Sequence, residues 1–172
     1  MTQKILVTYA TRYGSTAGIA EAIGNTLRED GTPVDVLPMI DVNDLTEYQA
    51  VVAGSAIQGG IWLPEALQFL SDHQKELAQK PFAAFLVCMT LTMGAGKYRG
   101  EVSNWLAPVR ALVKPVSEGL FAGMLDFRKL PVSFKTLAMG LTVLFGVWPR
   151  GDRRDWNAVR AWAAGLQPLL KP

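Results

Sequence analysis

One cysteine and one histidine stand among 172 residues. A lone Cys88 can form no intrachain disulfide, so the fold rests on burial and hydrogen bonding, and a reducing compartment is expected. Cys88 lies in an apolar stretch and reads as a small core residue rather than a nucleophile. His73, between Asp72 and Gln74 in a helical stretch, is expected at the surface with no catalytic role, and no His/Cys/carboxylate cluster has metal-ligand spacing. The apolar stretch Phe134 to Trp148 falls well short of the roughly 20 residues that span a bilayer. Neither the G-x-x-x-x-G-K-[ST] pattern of a triphosphate loop nor a three-glycine dinucleotide fingerprint occurs. With no side-chain constellation for catalysis, any chemistry must come largely from a cofactor.

Hydrophobic residues make up 49% and charged residues 19%, the balance of a globular chain, and 172 residues fit one domain, 1–172, with a full core. Met1 leads directly into the first expected strand, leaving no room for a cleavable signal, so a cytoplasmic protein is expected. The net charge of +2 is unevenly spread: residues 1–86 carry 5 basic against 10 acidic residues, and residues 87–172 carry 12 against 5. The second half is therefore suited to an anionic lipid surface or a carboxylate-bearing substrate, the alternative being solvated faces.

The stretch Ile5 to Thr16 organises the rest. Lys4 to Tyr9 is short, β-rich and almost wholly apolar, as a strand buried on both faces should be. From Ser15 the apolar period changes, with Ile19, Ile23 and Leu27 four apart on one helical face. Between them Thr11, Ser15 and Thr16 supply hydroxyls, and Gly14 allows close backbone approach to a ligand. Free amides at the start of the helix make a single phosphate monoester the natural occupant, while an ordinary N-capped helix is the bland alternative.

Further strands are expected at Val34 to Leu37, Ala50 to Gly54, Phe82 to Met89 and Glu118 to Gly123. Pro64 should open a helix with Leu63, Leu67, Leu70 and Leu77 on one side. Arg99 to Lys114 reads as a helix kinked at Pro108, within an inserted segment at about 94–115. The apolar segment at about 132–148, flanked by Arg128, Lys129, Lys135, Arg150, Arg153 and Arg154, must be buried in protein, in a dimer partner or at a lipid interface. Asp152 is the expected cap of the last helix, with Asp155 in its first turn and Trp156, Val159, Ala163, Leu166 and Leu170 as its core stripe. Strands and helices alternate without hairpin signals, which indicates a parallel sheet covered on both faces.

The turn Thr11-Arg12-Tyr13-Gly14-Ser15-Thr16 resembles the flavodoxin phosphate loop T/S-x-T-G-x-T, and Tyr9-Ala10-Thr11-Arg12-Tyr13-Gly14-Ser15-Thr16 is more similar still to the flavodoxin-like, quinone-dependent protoporphyrinogen oxidases. The run Gly151 to Trp156 resembles the C-terminal signature of that group, and Tyr13 departs from the usual threonine of carrier flavodoxins. The resemblance implies an α/β, doubly wound five-stranded parallel sheet in the order 2-1-3-4-5, with an insertion around strand five. It implies FMN as cofactor, its phosphate held by Thr11, Arg12, Tyr13, Gly14, Ser15 and Thr16. The ring would be bordered by Ser55, Ala56, Ile57, Gln58 and Gly59 and by Thr90, Leu91 and Thr92, with Trp62 either stacking on it or packing under the next helix. Oxidation of protoporphyrinogen IX in heme biosynthesis, with a quinone as acceptor, is the implied activity, and an electron carrier without a substrate of its own is the alternative. Lys97, Arg99, Arg128 and Lys129 are the candidates to meet substrate propionates. The expected partners are that substrate and a quinone, with peripheral membrane contact or a homodimer as further candidates and no nucleic acid.

Overall fold

The computed structural model describes residues 4–93, 96–125, 144 and 151–171. Arg128, Lys129 and, apart from an exposed Leu144, the apolar segment 132–148 lie outside the described residues. In chain order the elements are β1 (Lys4–Ala10), α1 (Ser15–Arg28), β2 (Val34–Pro38), β3 (Tyr48–Gln58), β4 (Ile61–Trp62), α2 (Pro64–Asp72) and α3 (Gln74–Leu77). They continue with β5 (Phe82–Cys88), α4 (Arg99–Asn104), α5 (Ala107–Leu112), β6 (Ser117–Ala122), β7 (Met124–Leu125), β8 (Gly151–Asp152) and α6 (Trp156–Leu166).

Five strands pair in parallel in the order β2-β1-β3-β5-β6, which is the expected order with the strands counted by themselves. Successive residues of β1 point to opposite faces. Leu6 enters one core with Val51, Leu70 and Leu86 beneath α2 to α5, while Ile5 and Val7 enter the other with Ile19, Ile23, Val159 and Ala163 of α1 and α6. Both faces are covered, which is why the inner strands β1, β3 and β5 read as largely apolar runs.

Size, more than polarity, fixes the register of such strands. Phe85 of β5 lies opposite Gly54 of β3 and Gly119 of β6. A Cβ at Gly54 would come within 2.0 Å of the Phe85 ring, so the ring occupies the space that a side chain there would need.

Several expectations need correction. The third strand runs past Gly54 to Gln58 and turns back as a hairpin into β4, with Ile57 opposite Trp62 and Gln58 opposite Ile61. Gly59 (φ 60°) and Gly60 (φ 77°) both adopt the left-handed conformation that a two-residue hairpin turn demands, so Gly-Gly was a hairpin signal. A second short antiparallel pair joins β7 to β8. The long helix after Pro64 breaks at His73, whose side chain is only 15% exposed, 3.2 Å from Glu76 and tilted against Phe69, so His73 is not a plain surface residue. Asp155, not Asp152, caps the last helix, accepting the Ala158 N–H at 3.0 Å, because Asp152 is taken into β8 and pairs with Arg154. The kinked segment after Arg99 does divide, into α4 and α5, with Pro108 in the first turn of α5.

Replacing Gly54 by Ala should overpack the sheet centre and cost about 1–3 kcal/mol of unfolding free energy. Urea denaturation reads this as a lower midpoint at unchanged slope. Gly100→Ala, where a Cβ meets nothing within 4 Å, is the control expected to be neutral or slightly stabilising.

Candidate functional site

The parallel register sets Ala10, the last residue of β1, opposite Ser55 of β3, and Ala56 opposite Val87 of β5. The β1–α1 loop, the β3–β4 hairpin and the short 3-10 turn Thr90–Thr92 after β5 therefore leave the same carboxyl edge of the sheet. That edge is where doubly wound sheets bind ligands.

Gly14 (φ 87°) is left-handed and precedes the first helical residue, Ser15. Its N–H donates to Thr11 Oγ1 at 3.0 Å, which closes the loop on itself. The first intrahelical bond is from Gly18 N–H to Gly14 O, so the amides of Ser15, Thr16 and Ala17 have no partner among the described residues. No acidic residue lies in this first turn to repel an anion. Ser15 Oγ accepts the Met124 N–H at 2.9 Å, tying the start of α1 to the exit of β6, while its own proton remains free to donate.

Thr16 is fully buried and its hydroxyl has no hydrogen-bond partner among the described residues. Thr26, on the same helix, satisfies its hydroxyl on the carbonyl of Ala22 at 3.0 Å. The residue four before Thr16 is Arg12, which lies outside the helix, so that solution is not open to Thr16. Three unpartnered amides beside an orphaned hydroxyl fit a tetrahedral anion such as a phosphate monoester.

Arg12 turns away from the loop. Its Nη1 and Nη2 both bond the Glu65 carboxylate in the first turn of α2, the second at 2.9 Å. This pair raises the Arg12 pKa and holds the Glu65 carboxyl below its ordinary range, chiefly through the hydrogen bonds. Tyr13 is exposed at the rim.

Trp62 does not offer its ring to a ligand. It is 1% exposed, packed in the core with Leu63 and Ala66. Its neighbour Ile61 is 58% exposed, because adjacent residues of a strand face opposite ways. Of the two readings of Trp62, packing is the one realised. Ser55 is buried too, accepting the Leu63 N–H at 3.0 Å and donating to Ala56 O, so its hydroxyl braces the hairpin from behind. Gln58 and Gly59 are exposed, Ala56 and Ile57 half-buried, and Gly60 packs under Trp105 from the inserted segment. Thr92 Oγ1 donates to Met89 O at 2.6 Å, while Thr90 and Leu91 are half-buried beside it. Lys97 and Arg99 are exposed, the former 5.8 Å from the Tyr98 ring centre. Burial pushes the Cys88 thiol up to about 11, as befits a core residue. Among the described residues no group of His, Cys, Asp and Glu could hold a metal ion.

Sequence reading missed Glu65 and Met124, and placed Arg154 only beside the apolar segment and in the C-terminal signature. Arg154 lies against Gly18 of α1, held by Asp152 through bonds of 2.8 and 2.6 Å and stacked 4.4 Å from the Trp156 ring centre. All three are contacts across long sequence separations, which no local pattern announces.

Fold and loop together define a doubly wound α/β domain with unpartnered helix amides where β1 meets α1. The profile of the flavodoxin domain family matches residues 6–141, and the chain belongs to that family, which indicates a flavin as its cofactor. It is 26% identical over 180 residues to the protoporphyrinogen IX dehydrogenase [quinone] of Leishmania major, an alignment covering 96% of this chain and 75% of that protein. An archaeal flavodoxin matches with a TM-score of 0.59 at 19% identity, covering 99% of this chain and 100% of its own. A short-chain flavodoxin associated with a non-canonical PDU bacterial microcompartment gives 0.63 at 14%, covering 98% and 99%. These two likenesses are of fold.

Gly14→Ala forces a side chain into the left-handed region and should cost about 1–2 kcal/mol of stability. Thr11→Val, which removes the acceptor for the Gly14 N–H, should cost about 1 kcal/mol. Because both act on one loop, the double variant in urea denaturation should fall short of the sum.

Proposed function

We propose that the protein is an FMN-dependent oxidoreductase that takes electrons from protoporphyrinogen IX and delivers them to a quinone. The observation that supports this reading is the set of unpartnered amides at the start of α1, in a chain aligned over 96% of its length with a protoporphyrinogen IX dehydrogenase. Bound FMN would supply the redox chemistry, and the chain supplies binding, orientation and electrostatics.

In this reading the amides of Ser15, Thr16 and Ala17 and the hydroxyls of Thr11, Ser15 and Thr16 hold the phosphate, and Gly14 keeps the backbone close to it. Thr11 and Ser15 already accept an N–H each, so both have their O–H left to donate. Gln58 and Gly59 of the hairpin turn and Thr90 to Thr92 border the ring. Lys97 and Arg99, together with Arg128 and Lys129, meet the substrate's carboxylates. The protein works in the cytoplasm, with residues 132–148 contacting either the membrane surface that carries the quinone or a second copy of the chain. Among the described residues no helix is long and apolar enough to cross a membrane. The alternative, an electron carrier with no substrate, is less favoured by the basic second half of the chain, since acidic surfaces suit carriers that dock on basic partners.

The apoprotein should take up FMN and turn yellow, and a preparation indifferent to added FMN would overturn the reading. Anaerobic protoporphyrinogen IX should remove the oxidised-flavin absorbance and menadione should restore it, whereas an inert flavin would leave the carrier. Thr16→Val gives a sharper signature. Removing an orphaned hydroxyl should leave the flavin-free protein as stable or up to about 1 kcal/mol more stable, while FMN binding weakens about tenfold or more through loss of a charge-assisted hydrogen bond.

A further inference from the structure

We propose that Arg12 and Glu65 are a positioning pair, a latch that fastens the phosphate loop to the helix leaving the ring-bordering hairpin, so that the two halves of the flavin site are preset relative to one another. The inference rests on the FMN reading and goes beyond it by assigning a role to two side chains that need not touch the flavin.

Arg12 stands in the middle of the phosphate loop, where a free cation would be expected to turn toward the anion. Instead both of its terminal nitrogens are spent on one carboxylate, the two-pronged geometry that fixes direction as well as distance. Glu65 is three residues beyond β4 and in the first turn of α2, where the helix dipole favours a carboxylate without help from Arg12. Residues 55–65 are thus tied twice. Ser55 Oγ holds the Leu63 N–H on the inside, and Glu65 holds Arg12 on the outside. The inner tie closes the hairpin on its own strand, and the outer one joins it to the other loop. A flavin mononucleotide would touch both loops, so their relative placement enters its affinity directly.

The side chains of Arg12 and Glu65 are 38% and 41% exposed. At such exposure the pair contributes little to global stability, and its effect is local. The competing arrangement is that Glu65 merely occupies Arg12 until a phosphate displaces it. The two differ in sign at one position: a latch predicts that losing Glu65 weakens FMN binding, and a competitor predicts that it strengthens it.

The test is FMN titration of the apoprotein, followed by flavin fluorescence, for wild type, Arg12→Gln, Glu65→Gln and the double variant, with the thermal midpoint of each apoprotein measured alongside. The latch predicts that each single variant weakens FMN binding about three- to fivefold, the scale of a well-formed surface ion pair. The double variant should be no worse than either single, because both remove one interaction. The loss should shrink at high salt as the wild-type pair is screened, with midpoints nearly unchanged. Tighter binding in Glu65→Gln, unchanged binding in either single variant, or fully additive losses would overturn the latch while leaving FMN as cofactor. Wild type that takes up no FMN would remove the functional reading and the latch with it.

Discussion

Parallel pairing of β1 with β3, with Ala10 against Ser55, decides what the carboxyl edge can do. Neighbouring strands lie about 4.8 Å apart, so the phosphate loop and the hairpin start within one strand spacing of each other. A slip of two residues would carry one of them about 7 Å along the sheet and separate the β1–α1 loop from the β3–β4 turn. Polarity cannot prevent such a slip, because a shift of two residues keeps every side chain on its own face of the sheet. Shape acts on the neighbouring pairings: the Phe85 ring of β5 fits between Gly54 of β3 and Gly119 of β6, and a two-residue slip of β3 against β5 would bring Val52 or Ala56 to the ring instead of glycine.

The same contrast explains how much was legible in the sequence. The three inner strands β1, β3 and β5 were readable because burial on both faces makes a short β-rich apolar run, and α1 because the period changes at Ser15. The phosphate loop was readable because its internal bond, Gly14 to Thr11, spans three residues. Trp62 was not, since whether an aromatic after a turn faces ligand or core depends on the parity of the hairpin register, and one residue more would have exchanged it with Ile61. Asp152 and Asp155 both look like caps, and only the pairing of Met124 with Asp152, across residues outside the described set, removes the first from contention. The break at His73 has no proline or glycine to announce it.

The β1–α1 loop and the first turn of α1 are held from three directions besides the loop's own turn: Ser15 to Met124, Arg12 to Glu65, and the close passage of Arg154 over Gly18 of the helix. None of these is local. A six-residue loop left to itself would pay backbone ordering of roughly 1–2 kcal/mol per residue whenever it closed on a ligand. Contacts made during folding pay that cost in advance, and the ligand then meets donors already aimed. Long-range ties thus order the loop before anything binds there, even where they would touch no ligand.

An unpaired buried hydroxyl is weak support for a ligand when taken singly, and the chain itself shows why: Thr8, inside β1, carries one as well. Thr8 lies in a strand whose backbone groups are already engaged on both sides by β2 and β3, so nothing beside its hydroxyl awaits a partner. Thr16 differs in its neighbours. Its hydroxyl shares the first helical turn with amides that the helix cannot satisfy, next to a glycine held open by a left-handed backbone. Unmet donors gathered in one helical turn suit an anion with several acceptor oxygens. The neighbouring amides, and not the orphaned atom alone, set Thr16 apart from Thr8.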